Sequence, residues 1–218
     1  TPDEAHQRGL DEVRDYEARI DPLLRALGLT DGSVGARLTA LGQRPDQLWP
    51  NTDAGRADIL TYANQRIDAV RPLMSRMFTN PPAAPLEIRR VPPAIEVGAP
   101  RGYAQRGSLD GSRPGAFYIN LRDTSVWPRF AIPTLVYHEG IPGHVFQGAV
   151  ALATQGIPML HRSLYIAAYG EGWALYAEQL ADELGVYDNE PLGRIGYLQA
   201  ALYRAVRMVV GVFGGWNG

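Results

Sequence analysis

The residues best suited to chemistry lie in one segment, Tyr137-His138-Glu139-Gly140-Ile141-Pro142-Gly143-His144. From Ala131 to Val150 the chain is otherwise largely apolar or small, and its only groups that titrate near neutral pH are His138, Glu139 and His144. A carboxylate between two imidazoles in such surroundings is costly to bury unless something neutralises or coordinates it, and a divalent cation would do so. The spacing departs from the H-E-x-x-H zinc motif, whose histidines stand roughly 40° apart around a helix. Here the second histidine comes six residues after the first, about 120° away, so a straight helix cannot aim both rings at one ion. Pro142 removes a backbone donor and Gly143 tolerates unusual dihedrals, so a helix break is predicted between the two rings. The alternative is a pair of core histidines flanking an ordinary Pro-Gly helix end.

A catalytic zinc site generally has three protein ligands and one open position. Glu171 is the only charged residue between Leu164 and Ala177. Helical spacing puts it on a face with Leu164, Ala168 and Leu175, which predicts an inward carboxylate in need of a cation. Glu178 returns to nearly the same face but begins a polar stretch with Gln179, Asp182 and Glu183, which suits a solvated carboxylate or one supporting a ligand from behind. His161 is a ligand by chemistry and a capping or surface residue by its place at a helix start. Tyr165, Tyr169, Arg204 and Arg207 are candidates for substrate contact, because a phenol or guanidinium beside an ion stabilises a developing oxyanion and arginine grips carboxylates with two bonds. For the arginines the alternative is surface stems packed on apolar neighbours.

With Gln147 just after the first segment and Glu171-Gly172-Trp173-Ala174-Leu175-Tyr176-Ala177-Glu178 downstream, the chain resembles DUF885, a zincin-like family of proposed metallopeptidases. Its pattern is H-E-x-x-P-G-H followed by E-G-W-A. The resemblance implies a zincin-like fold, one Zn²⁺ held by His138, His144 and Glu171, Glu139 as general base, and a peptide substrate. Arg204-Ala205-Val206-Arg207 matches an R-x-x-R pattern of the family. Two departures stand out: Val145 replaces a second histidine common there, and an expected Asp-Thr-Gly stretch and histidine are replaced by the run Gly211 to Gly218. Members of the family are considerably longer, so the resemblance also implies that this chain is a truncated member.

The elements that must position these residues fall into two parts. Residues 1–80 read as an N-terminal helical segment: one helix through Leu10, Val13, Tyr16, Ile20 and Leu24, divided at Asp21-Pro22, then a short helix Ser33–Leu41 and a long one Asp53–Phe78 with Pro72 near its end. Residues 81–218 read as a zincin-like catalytic region, with strands within 86–121, metal-site helices within 131–185 and a C-terminal helix over 191–211. Leu86–Val91 is a strand by its period of two, Ala94–Val97 continues the sheet, and Phe117–Leu121 is a further strand. The Gly-rich loop Gly107–Gly115 lacks the following helix and lysine of a phosphate cradle. By analogy with zincins, Phe117–Leu121 would be the edge strand that pairs with substrate, with Asn120 bonding a substrate amide. Alternatively it is interior, and Asn120 starts the turn to Arg122-Asp123. Pro133 starts the metal-motif helix, and His161–Leu184 forms a single helix ended by Gly185.

Composition narrows the function classes. A net charge of −2 with all 21 basic residues arginine and a pI of about 6.1 leave no electrostatic footprint for nucleic acid or an anionic membrane. Without cysteine there are neither disulfides nor thiolate zinc ligands, and the compartment stays open. No apolar run spans a bilayer. The expected molecule is therefore an α+β, mostly helical zincin-like metallohydrolase domain with a small antiparallel sheet, hydrolysing a peptide. Two alternatives are hydrolysis of another ester, amide or small substrate in an opened cleft, and a truncated inactive domain with structural zinc. A homodimer is expected if the face of Leu192, Ile195, Leu202 and Val209, or the tail Val210, Val212, Phe213 and Trp216, stands exposed.

Overall fold

The computed structural model describes residues 1–214, and the side chains of all of these except Ser163 and 212–214. Three helices come first: α1 (Pro2–Ala26), α2 (Val34–Gly42) and α3 (Asp53–Val70). Ser33 and Thr52 cap the second and third, their hydroxyls accepting the amides of Ala36 and Gly55. The expected division at Asp21-Pro22 does not occur. Ile20 and Leu24, on either side of Pro22, are both fully buried, and Asp21 accepts from Arg25 and Arg37 at 2.7 and 2.5 Å instead of capping a new helix. Core packing thus carries α1 through the lost backbone bond. The long helix expected to reach Phe78 instead stops at Val70 and tightens into a 3-10 segment, Arg71–Arg76, with Pro72 in its first turn.

The sheet has three strands, β1 (Leu86–Arg90), β2 (Gly102–Gln105) and β3 (Gly115–Ile119), in the order β1-β3-β2. β1 runs parallel to β3, with Leu86 opposite Gly115, and β2 runs antiparallel, with Tyr103 opposite Tyr118. The sheet is therefore mixed, not antiparallel as expected. Ala94–Val97 forms turns, because Arg90 grips the Glu96 carboxylate through two bonds of 2.6 and 3.1 Å and folds the chain back. β3 is central, and β1 and β2 are the two edges.

After the sheet come α4 (Ile132–Glu139), α5 (His144–Ala153), α6 (Met159–Ser163), α7 (Ala167–Glu183) and α8 (Pro191–Gly214). The single helix expected over His161–Leu184 is two, separated by an extended link around Leu164–Ile166. That link lays the Tyr165 ring over Gly170, where a Cβ would come within 2.4 Å of it. α8 packs on α1, on α4 and on the turn Arg129–Ala131. The face expected to stand exposed is covered within the chain: Ile195 is fully buried, Leu192 and Leu202 pack on the core, and Val209 abuts Gly9 of α1. Of the apolar tail, Val210 is exposed, and the side chains of Val212, Phe213 and Trp216 lie outside the described residues. The argument for a dimer through the helical face thus falls away. No helix among the described residues is long and apolar enough to cross a membrane.

One contact locks α8 in place. A Cβ at Gly196 would stand 1.9 Å from the Phe130 carbonyl oxygen, and backbone cannot yield as a side-chain tip can. Gly196→Ala should cost about 1–3 kcal/mol, a fall of roughly 5 °C in melting temperature for a chain of this size. Gly211→Ala on the same helix, with nothing within 4 Å, should not lower it. Equal melting of the two variants by circular dichroism would contradict this packing.

Candidate metal centre

The helix break comes where the sequence predicted it. α4 ends at Glu139, α5 begins at His144, and the residues between them turn through a cis Ile141–Pro142 peptide. Gly143 lies so close beneath α4 that a Cβ there would stand 1.8 Å from the His138 carbonyl oxygen, so only glycine fits. Ile141 and Phe146 anchor the turn in the core. Trp173 of α7 donates its indole N–H to the Pro142 carbonyl at 2.9 Å, tying the third element to the break. The two imidazoles stand with ring centroids 4.9 Å apart and planes at 88°. Their Nε2 atoms are each 3.6 Å from a different oxygen of Glu171. Among the described residues, His138, His144 and Glu171 form a group whose ligand atoms all lie within 4.8 Å of one another. Such a donor set could hold a divalent cation.

Glu178 orients the first ring. It is buried, and its Oε1 lies 2.8 Å from His138 Nδ1 while its other oxygen accepts from the Thr134 hydroxyl. A carboxylate can only accept from that ring, so Nδ1 carries the proton and Nε2 is left free to ligate. This reverses the expected depths of the two carboxylates. The packed face of α7 runs through Ala174, Ala177, Glu178 and Ala181, whereas Glu171, one turn earlier, has 48% of its side chain exposed at the cleft rim, and Leu164 is exposed outside the helix. The spacing argument for an inward Glu171 was therefore wrong about depth, although this carboxylate is the one that meets both rings.

The electrostatics follow from this packing. Burial pushes the Glu139 carboxyl up to about 7, while burial and the neighbouring His138 pull His144 down to about 4. Burial also pulls on His138, but the bond and charge of Glu178 outweigh it and hold the ring above its ordinary value. Glu171 is raised by burial and lowered more strongly by the Tyr165 bond and the two imidazoles, for a net fall. Without a cation, these groups compete for protons in one small space.

The cleft over this group encloses about 360 Å³. Tyr165 lines it and donates to Glu171 at 2.6 Å, and Arg204 lines it as well. Three expected substrate contacts are elsewhere. Asn120 donates to the Glu96 and Ala99 carbonyls and accepts from the Arg122 amide, the turn role that was its alternative. Arg207 lies over the Tyr203 ring at 5.9 Å, and Tyr169 lines a neighbouring pocket, as does His161, which was weighed as a ligand. Sequence reasoning missed Gly102, Tyr103 and Ala104 of β2, along with Arg106 and Gln147. Gln147 had a signal, since it stands one turn after His144 on α5, and the three residues of β2 and Arg106 had none.

The fold and this cluster define the class: a mostly helical α+β domain with a His₂Glu group in an open cleft. The chain belongs to the DUF885 family, described as a bacterial protein of unknown function, which matches it over residues 1–213. It is similar to a solved "putative lipoprotein" from Colwellia psychrerythraea, with 43% identity and a TM-score of 0.93 over 97% of this chain and 36% of that one. A second solved structure, a "putative lipoprotein of unknown function" from Shewanella oneidensis, shares the fold at 16% identity and a TM-score of 0.71, over 96% of this chain and 39% of that one. The chain thus spans well under half the length of both. No protein of curated function matches it.

If His138, His144 and Glu171 hold a zinc ion, removing any one of them should remove most of the affinity. His138→Ala, His144→Ala and Glu171→Ala would then lose stoichiometric zinc after dialysis. Glu178→Gln should retain it but bind roughly 10–100-fold more weakly, because the ring loses its orienting carboxylate. Elemental analysis and competition with a chromogenic chelator measure both, and one tightly held ion per chain in all three ligand variants would rule the assignment out.

Proposed function

We propose that this domain is a zinc-dependent hydrolase that cleaves a peptide bond, with Glu139 as general base. The observation that carries the reading is the meeting of His138, His144 and Glu171 within 4.8 Å, with the buried carboxyl of Glu139 lining the same cleft. When bound, zinc supplies a Lewis acid for the scissile carbonyl and for the attacking water.

The chain's own residues supply the rest. Glu139, with a carboxyl held near 7 by burial, takes a proton from the attacking water and returns it to the leaving amine. Thr134 and Glu178 hold His138 in one tautomer from behind. Tyr165 and Arg204 present a hydroxyl and a guanidinium to the cleft, suited to an oxyanion as charge develops. A peptide substrate is favoured by β2, which flanks the cleft and is paired only on its β3 side, so its outer edge can hydrogen-bond extended backbone.

Glu139→Gln keeps the shape of the side chain and removes the base. It should bind zinc like the parent and lose about 10²–10⁴-fold in turnover of a peptide panel that the parent cleaves only without chelator. If chelation lowers the melting temperature while the parent cleaves neither peptides nor chromogenic esters and amides, zinc is structural and the proposal fails.

A further inference from the structure

Next to the cleft is a second cavity of about 420 Å³, walled chiefly by Phe146, Val150, Leu164, Ile166 and Trp173. Its character is opposite to that of the charged cleft. Leu164 and Ile166 stand 49% and 58% exposed, an apolar surface that soluble proteins keep small unless something binds there. Arg106 and Gln147 line both cavities, so the two are adjacent and share a wall.

The wall between them holds an unanswered polar group. Gln147 is only 6% exposed, yet neither its Oε1 nor its Nε2 has a hydrogen-bond partner among the described residues. A buried primary amide with both ends free is destabilising by itself, and the N–H and C=O of one extended residue, which point the same way, would satisfy both ends. Arg106 adds a guanidinium at the same boundary, stacked on Tyr165 at 5.7 Å, with no carboxylate in ion-pair range among the described residues.

We infer that this cavity is the side-chain subsite of the hydrolase: it takes a large apolar or aromatic residue adjoining the scissile bond, while Gln147 pairs with that residue's own backbone N–H and C=O. The inference deepens the hydrolase reading and rests on it for the word scissile, but the pocket and the amide can be tested without turnover. A peptide with aspartate or glycine at that position would leave the apolar walls wet and gain little from burial.

The test is an NMR titration of the full chain with N-acetyl-phenylalaninamide and N-acetyl-glycinamide, run with zinc and again with chelator. The phenylalanine probe should bind at least about tenfold more tightly, with shifts at the Trp173 indole. Ala151→Phe, which fills the cavity, should erase that preference and leave glycinamide binding alone. Gln147→Leu should weaken both probes alike and keep the preference. Equal binding of the two probes to the parent protein overturns the inference even if the filled variant fails to fold. So does an unchanged preference in a folded Ala151→Phe. Selective binding without any peptide cleavage would retire the hydrolase reading and keep the pocket, whereas cleavage indifferent to the neighbouring side chain would do the reverse.

Discussion

Everything at the centre depends on one backbone contact, Gly143 pressed against the carbonyl of His138. It lets the chain leave α4, turn, and re-enter a helix within four residues, so that rings six positions apart face one point. Any side chain at that position would push α5 away, and His144 with it. The same turn recruits the third participant. Trp173 reaches the Pro142 carbonyl, and Glu171 stands two residues before it on α7, so the register of that helix is fixed by the break.

The break was legible because its causes are local: a proline and a glycine between two histidines have few other uses. That Glu171 joins the two histidines was legible through the resemblance to a family pattern. Depth was not. Helical periodicity reports which residues share a face, but whether that face is covered at a given turn depends on where α4 ends, and α4 covers Glu178 and leaves Glu171 at the rim. Asn120 shows the same limit. Its type suited a substrate amide and a turn equally, and the choice was made by the carbonyls of Glu96 and Ala99 arriving from another part of the chain.

The fold divides along similar lines. The helix starts near Ser33 and Asp53 and the stop at Gly185 were legible from local residues. Strand partners were not, since nothing in Leu86-Glu87-Ile88-Arg89-Arg90 says that it lies parallel to β3, and β2 is too short to show a period. Pro22 marks the opposite failure. A local helix-breaking signal was present and was overridden by the burial of Ile20 and Leu24 on one continuous face.

The pairing of α1 with α8 also bears on how the protein comes to be folded. His6 donates to the Val209 carbonyl across 203 residues of chain, and Gly9 meets Val209 one turn further along. Contacts this distant in sequence contribute little until most of the intervening chain is ordered, and folding rates fall as such contacts come to dominate a topology. During synthesis the part of α1 that packs on α8 must therefore wait until α8 is made, which leaves that surface open to aggregation and proteolysis in the interval.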